Sequence, residues 1–176
     1  MTKNTMPPGI AISQSSPVPS ARAVDTPGVK SSTTGAVFVD SNVLIYGRDF
    51  SHPDKQRRAS VWMAELWRSK RGRLSFQVLT EFYVNVTRKL RPGLDEETAR
   101  QDVRALLTWK PIGLNQRVLE QAWHTQERYH FGFWDALIVA AAQVEGCRYL
   151  LTEDLQDGQE IGSVLVVNPF RSTPDF

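Results

Sequence analysis

Ala36-Val37-Phe38-Val39-Asp40-Ser41-Asn42 is the stretch whose reading decides the fold. The apolar, β-branched run through Val39 describes a buried strand, and it stops at residues that favour turns and helix caps. A carboxylate therefore stands at the end of a buried strand. Working outward, Ala59, Trp62, Met63, Leu66 and Trp67 recur at helical spacing after Asp54, and the opposite face is Lys and Arg. Arg73-Leu74-Ser75-Phe76 reads as a second short strand. Leu79, Phe82, Tyr83 and Val86 mark a helix running to about Lys89, stopped by Arg91-Pro92-Gly93.

Asp95, Glu96 and Glu97 crowd the first turn of the next helix, where carboxylates complement the dipole, and its apolar face ends near Trp109. Lys110 to Leu114 reads as a loop or short strand, and Asn115 as the N-cap of a helix to roughly Tyr129. Phe133 to Val144 is apolar nearly all round, apart from Asp135 and Gln143, which describes a short central helix closed by Gly146. Two more strands follow, Arg148 to Leu151 and Val164 to Val167. Strands alternating with helices imply crossover connections, hence an α/β fold with a short parallel sheet and helices on both faces. No apolar run approaches a membrane span.

Residues 1–35 differ in kind, since Pro7, Pro8, Pro17, Pro19 and Pro27 are half of the 10 prolines. Such a stretch buries too little apolar surface to offset its ordering entropy and is expected to be a disordered tail, leaving one domain over 36–176. Ile10 to Ile12 is far too short for the apolar region of a secretory signal. The tail holds Lys3, Arg22 and Lys30 against Asp25, which is the whole formal excess of +2. The neutral remainder is divided: Arg48 to Arg91 is basic, and Pro92 to Phe176 is acidic. The only cysteine is Cys147, which excludes an intramolecular disulfide or a Cys-rich zinc site and fits a reducing, cytoplasmic setting.

Four acids occupy positions that the apolar pattern makes awkward. Asp40 ends a strand, Glu81 is expected in the first turn of an apolar helix, Asp135 interrupts the most hydrophobic segment, and Asp154 follows Tyr149-Leu150-Leu151-Thr152. In a doubly wound sheet, strand ends and the following helix starts line the carboxyl edge, so at least Asp40 and Asp154 are expected to converge there, with Asp135 beside them. Each acid alone is explained by a cap or a surface charge. Converging carboxylates repel unless protonated or neutralised, and a hard cation with oxygen ligands, Mg²⁺ or Mn²⁺, resolves the conflict. That combination points to phosphate-ester chemistry. Cys147 reads as a buried small hydrophobe, His52, His124 and His130 have no partner spacing, and phosphate-binding glycine loops are absent. The tryptophans read mostly as core. Arg57, Arg58, Arg68, Lys70, Arg71 and Arg73 form a basic face that a polyanionic substrate could use, with Arg57, Arg58, Arg71 and Arg73 as the substrate-binding candidates.

Val37 to Tyr46, Leu79-Thr80-Glu81-Phe82, Phe133 to Ala142 and Leu151-Thr152-Glu153-Asp154-Leu155 together resemble a PIN domain, and most of all the VapC-type toxins of bacterial toxin-antitoxin pairs. The resemblance spans about Val37 to Phe170 and implies a three-layer α/β/α domain. It further implies a metal-dependent endoribonuclease, usually a homodimer, held inactive by a small antitoxin protein. On the matching positions Asp40, Glu81, Asp135 and Asp154 would be the acidic set, with Asp40, Asp135 and Asp154 as metal ligands and Ser41, Asn42 and Thr152 as support. Many members carry a further Asp where this chain has Gln156, which leaves Asp157 a doubtful ligand. Two other readings stay open: a silent RNA- or protein-binding module on the same fold, and a phosphatase using Asp40 as nucleophile.

Overall fold

The computed structural model describes residues 35–174, so the expected tail over 1–35 lies, apart from Gly35, outside the described residues. The chain runs β1 (Val37–Val39), α1 (Ser41–Tyr46), α2 (Pro53–Ser69), β2 (Gly72–Arg73), α3 (Phe76–Val84), α4 (Glu96–Leu106), α5 (Gln116–Tyr129), α6 (Phe133–Val144), β3 (Tyr149–Leu151), β4 (Glu160–Ile161) and β5 (Val164–Val167). The five-stranded sheet has the order β2-β1-β3-β5-β4. β2, β1, β3 and β5 are mutually parallel, and β4 is an antiparallel edge strand on β5. The expected α/β architecture is therefore present, with one antiparallel strand added at the edge.

Several expected elements need correction. The second strand ends at Arg73, because Ser75 caps α3 by accepting from the Val78 N–H at 3.3 Å. With α3 starting at Phe76, Glu81 lies in its second turn, not its first. The expected continuation to Lys89 is a π-helical turn, Asn85–Lys89. Asp40-Ser41-Asn42, residues that favour turns and helix caps, open a short helix, Ser41–Tyr46, with Asp40 as its N-cap. Elsewhere the patterns hold. Asn115 caps α5 through the Val118 N–H at 3.0 Å, and the buried residues of α2 are Ala59, Trp62, Met63, Leu66 and Trp67. In α6, Ala136 through Ala142 are all buried, and Gly146 follows it in the left-handed conformation, with φ +65°.

Two close fits lock this frame. At Gly72 the Trp109 indole lies so near that an added Cβ would come within 2.1 Å of the ring, so only glycine admits this strand beside the core. Arg48, just past α1, makes a two-pronged ion pair with Asp102 of α4, Nε to Oδ2 at 2.7 Å, and both side chains are buried. Removing one partner strands the other charge in the interior.

Two stability tests follow. Arg48→Met should cost about 3–5 kcal/mol in denaturant unfolding, whereas the double variant Arg48→Met/Asp102→Leu should recover most of that loss. A double variant no more stable than the single one would mean that the packing of the arginine, not its charge, matters here. Gly72→Ala should cost about 1–3 kcal/mol through overpacking against Trp109, and an unchanged thermal midpoint would contradict the fit.

Candidate active site

Parallel register builds the site. Val39 pairs with Leu151 on β3, and the Asp40 N–H donates to the Leu151 carbonyl at 3.0 Å, so Asp40 and Thr152 emerge side by side at the carboxyl edge. α6 feeds β3 at the opposite, amino edge and must run antiparallel to the strands, which brings its first turn, with Asp135, to the carboxyl edge. α3 follows β2 from that edge and carries Glu81.

Asp40 is the centre of the network and only 7% exposed. Its Oδ1 accepts from the Ser41 N–H at 2.6 Å, and its Oδ2 accepts from Thr152 Oγ1 at 2.7 Å and Asn42 Nδ2 at 3.0 Å. The same Asn42 amide nitrogen reaches Thr152 Oγ1 at 3.1 Å and Asp154 Oδ2 at 3.0 Å, so it lies between two carboxylates. The Thr152 hydroxyl oxygen in turn accepts from the Asp154 N–H at 3.1 Å and fixes the loop after β3. Glu81 is held by two donors, Ser41 Oγ on Oε2 and Gln77 Nε2 on Oε1, both at 2.8 Å.

Burial pushes the Asp40 carboxyl up to about 6; the Thr152 and Ser41 hydrogen bonds oppose this, and the neighbouring Asp154 and Glu81 add to it. Asp135 is raised by burial first, then by Asp154 and Glu81. Asp40 and Asp135 thus each feel the charge of Asp154 and Glu81. Among the described residues no three His, Cys, Asp or Glu side chains close to ligating range by themselves. Asn42 Oδ1, however, is buried beside the carboxylates with no hydrogen-bond partner among the described residues. An orphaned oxygen among acids is a donor set that suits a hard cation and its waters.

The basic candidates divide. α2 runs from the carboxyl edge toward the amino edge, so Arg57 and Arg58 lie near its start, and Arg57 pairs with Asp54. Arg71 instead donates to the Gly35 carbonyl at 2.8 and 2.6 Å, and Arg73 donates to the Gly72 carbonyl at 2.8 Å. Arg71 precedes β2 at the amino edge and Arg73 stays on its own strand's backbone, so neither is brought to the carboxylates. Asp157 accepts from the Asn168 N–H at 2.8 Å, a turn contact outside the acidic network. Cys147 is buried, and desolvation pushes its thiol up to about 12, as expected of a packing residue.

Sequence reasoning missed Gln77, whose place four residues before Glu81 on one helix face was the available signal. It also missed Lys55, which donates to Glu153 at 2.5 Å and to the Tyr46 hydroxyl at 2.9 Å. Burial works against its charge, but those partners outweigh it and hold the ammonium above its usual range. The nearest large cavity, about 400 Å³ between α3 and α4, is lined by Phe76, Leu79, Tyr83, Val103 and Leu107 and does not include the acids.

The PIN domain family model matches residues 37–156, a span that contains all four acids. The chain belongs to the PIN-domain family. No curated protein sequence matches it significantly. Among solved structures this PIN domain is similar to a toxin-antitoxin complex from Klebsiella pneumoniae, at 23% identity and a TM-score of 0.50, covering 76% of this chain and 97% of that one. It is also similar to the Mycobacterium tuberculosis toxin VapC20, which cleaves the sarcin-ricin loop, at 21% identity and a TM-score of 0.45, covering 68% and 90% of the two chains. The first likeness agrees with the mostly parallel sheet described above.

The raised Asp40 carboxyl has a measurable consequence. With a folded pKa of about 6, Asp40 binds a proton that the unfolded chain releases near pH ~4, so it favours the fold below that range and the benefit is lost as pH rises through 6. In chelator-treated protein, Asp40→Asn should raise the thermal midpoint at pH 7.5 by several degrees, on the order of 1–3 kcal/mol, and the gain should vanish near pH ~4. An identical pH profile for both proteins would show that the buried charge is not being carried.

Proposed function

We propose that this chain is a metal-dependent endoribonuclease and the toxin of a toxin-antitoxin pair. The observation that carries the reading is the buried Asp40 carboxyl, held by Ser41, Asn42 and Thr152 within the field of Asp154 and Glu81. Membership of the PIN-domain family supports it, since the matched span 37–156 contains all four acids. Asp40, Asp135 and Asp154 would hold Mg²⁺ or Mn²⁺, which when bound supplies Lewis-acid chemistry at the phosphodiester.

The chain's own residues do the rest. Asn42 spaces Asp40 from Asp154 and softens their repulsion with a neutral donor. Thr152 holds Asp40 and the backbone of Asp154 in one register. Ser41 and Gln77 orient both oxygens of Glu81, which is the group placed to take up a proton from an attacking water. Arg57 and Arg58, near the start of α2, are the remaining candidates of the basic face for the RNA backbone. The Klebsiella pneumoniae neighbour, solved as a toxin-antitoxin complex, supports a small antitoxin protein as partner. A homodimer acting in the cytoplasm completes the reading; among the described residues no helix is long and apolar enough to cross a membrane.

Asp135→Asn keeps shape and removes charge. Purified variant should lose at least about a hundredfold in Mg²⁺- or Mn²⁺-dependent RNA cleavage, the scale of a lost catalytic group, with its thermal midpoint preserved, and growth arrest on expression should disappear with it. Undiminished cleavage by the variant would remove the acidic set from the chemistry. Absence of metal uptake and of cleavage in the parent protein would favour a silent binding module, and a trapped phospho-aspartate on Asp40 would favour a phosphatase.

A further inference from the structure

The tryptophans separate into two groups. Trp62, Trp67 and Trp109 are core residues, no more than 7% exposed, whereas Trp123 is 48% and Trp134 65% exposed. Trp134 stands apart for its position: it immediately precedes Asp135 in the first turn of α6, at the edge where the acids gather. Its aromatic neighbour is Phe133, edge-on with ring centroids 5.4 Å apart, which braces one side of the indole. One helical turn on, Leu137 and Ile138 are buried, so Trp134 does not belong to a wider exposed apolar stripe along α6.

That isolation selects the kind of occupant. A protein partner needs a contiguous apolar patch, commonly several hundred square ångströms, and α6 offers none beyond this indole. An unpaired nucleobase needs only one flat aromatic face, because every base has a π-face to stack. A strand whose phosphate lies at Asp40, Asp135 and Asp154 would bring its neighbouring nucleotides to the carboxyl edge, where α6 begins.

We propose that Trp134 is a stacking platform for an unpaired base next to the cleaved phosphodiester. This rests on the ribonuclease reading above. It makes Trp134 a substrate-binding residue that favours single-stranded or looped RNA over a paired helix, whose bases are already stacked on each other.

The test uses the full chain carrying Asp135→Asn, so that RNA survives, with a fluorescein-labelled RNA dodecamer of one fixed, non-self-complementary sequence, single-stranded or annealed to its complement, in Mg²⁺. By anisotropy, Trp134→Ala should weaken single-strand binding about tenfold, the loss of one stacked base. Trp134→Phe should retain most of the affinity, Trp134→Leu should behave like Ala, and none should alter duplex binding. Trp123→Ala, the other exposed tryptophan, should bind as the parent does. On the Asp135 background, Trp134→Ala should lower kcat/KM for single-stranded RNA by a similar factor.

Unchanged single-strand affinity in Trp134→Ala would overturn the proposal, as would rescue by Leu equal to rescue by Phe. Loss of self-association with RNA affinity intact would also overturn it, by assigning the indole to a protein surface. Failure of the parent to bind any RNA would instead remove the ribonuclease reading itself.

Discussion

Everything at the carboxyl edge depends on burying one carboxylate, Asp40, at the end of β1. Its backbone is fixed by the hydrogen bond from its N–H to the Leu151 carbonyl, which sets its Cα at the end of a buried strand in register with β3. The protein meets the desolvation of that oxygen pair with three donors, the Ser41 N–H, Thr152 Oγ1 and Asn42 Nδ2. Those donors do not cancel the cost: burial still pushes the carboxyl up to about 6, and the neighbouring Asp154 and Glu81 add to it. The site is therefore a region of electrostatic conflict in the metal-free chain. A cation that relieved it would stabilise the fold.

A locally unfavourable site needs a frame that does not yield. β1 and β3 are buried throughout, and α6 is covered over Ala136 to Ala142, so the elements carrying Asp40, Asp135 and Asp154 share one packed core. The Arg48–Asp102 pair ties the end of α1, whose start carries Ser41 and Asn42, to α4. Glu81 joins the same frame through Ser41, which links α3 to α1 across the site.

Legibility in the sequence followed the range of the interaction that places each residue. Asp40 and Asp135 were readable because a charge interrupting an apolar run is a local anomaly, and Asn115 and Gly146 because helix termini are local chemistry. The α1 helix was not readable, since Asp40-Ser41-Asn42 suits a turn and a helix cap equally, and only the packing of Val43 and Leu44 decides. Lys55 with Glu153, and Arg48 with Asp102, meet across long stretches of chain that carry no mark of their pairing. Arg57 and Arg71 read as one basic face, but Arg57 lies near the start of α2 and Arg71 follows its end, ~18 Å of helix separating Arg57 from Ser69, which delivers them toward opposite edges of the sheet.

That separation also decides what the uneven charge distribution can do. Many exposed basic residues already have acidic partners, Arg57 with Asp54, Arg68 with Glu65, Arg100 with Glu96 and Arg104 with Glu97. Such exposed pairs are worth only ~0–1 kcal/mol, so a phosphate can displace Asp54 from Arg57 at little cost. Pairing alone therefore disqualifies none of them as an RNA contact. Distance does: Arg71 spends its guanidinium on the Gly35 carbonyl at the amino edge, beyond the reach of a phosphate held by the acids. On the proposed ribonuclease reading, selectivity among RNAs would then come from groups at the acidic edge itself, where contacts to the bases carry the discrimination that phosphate contacts do not.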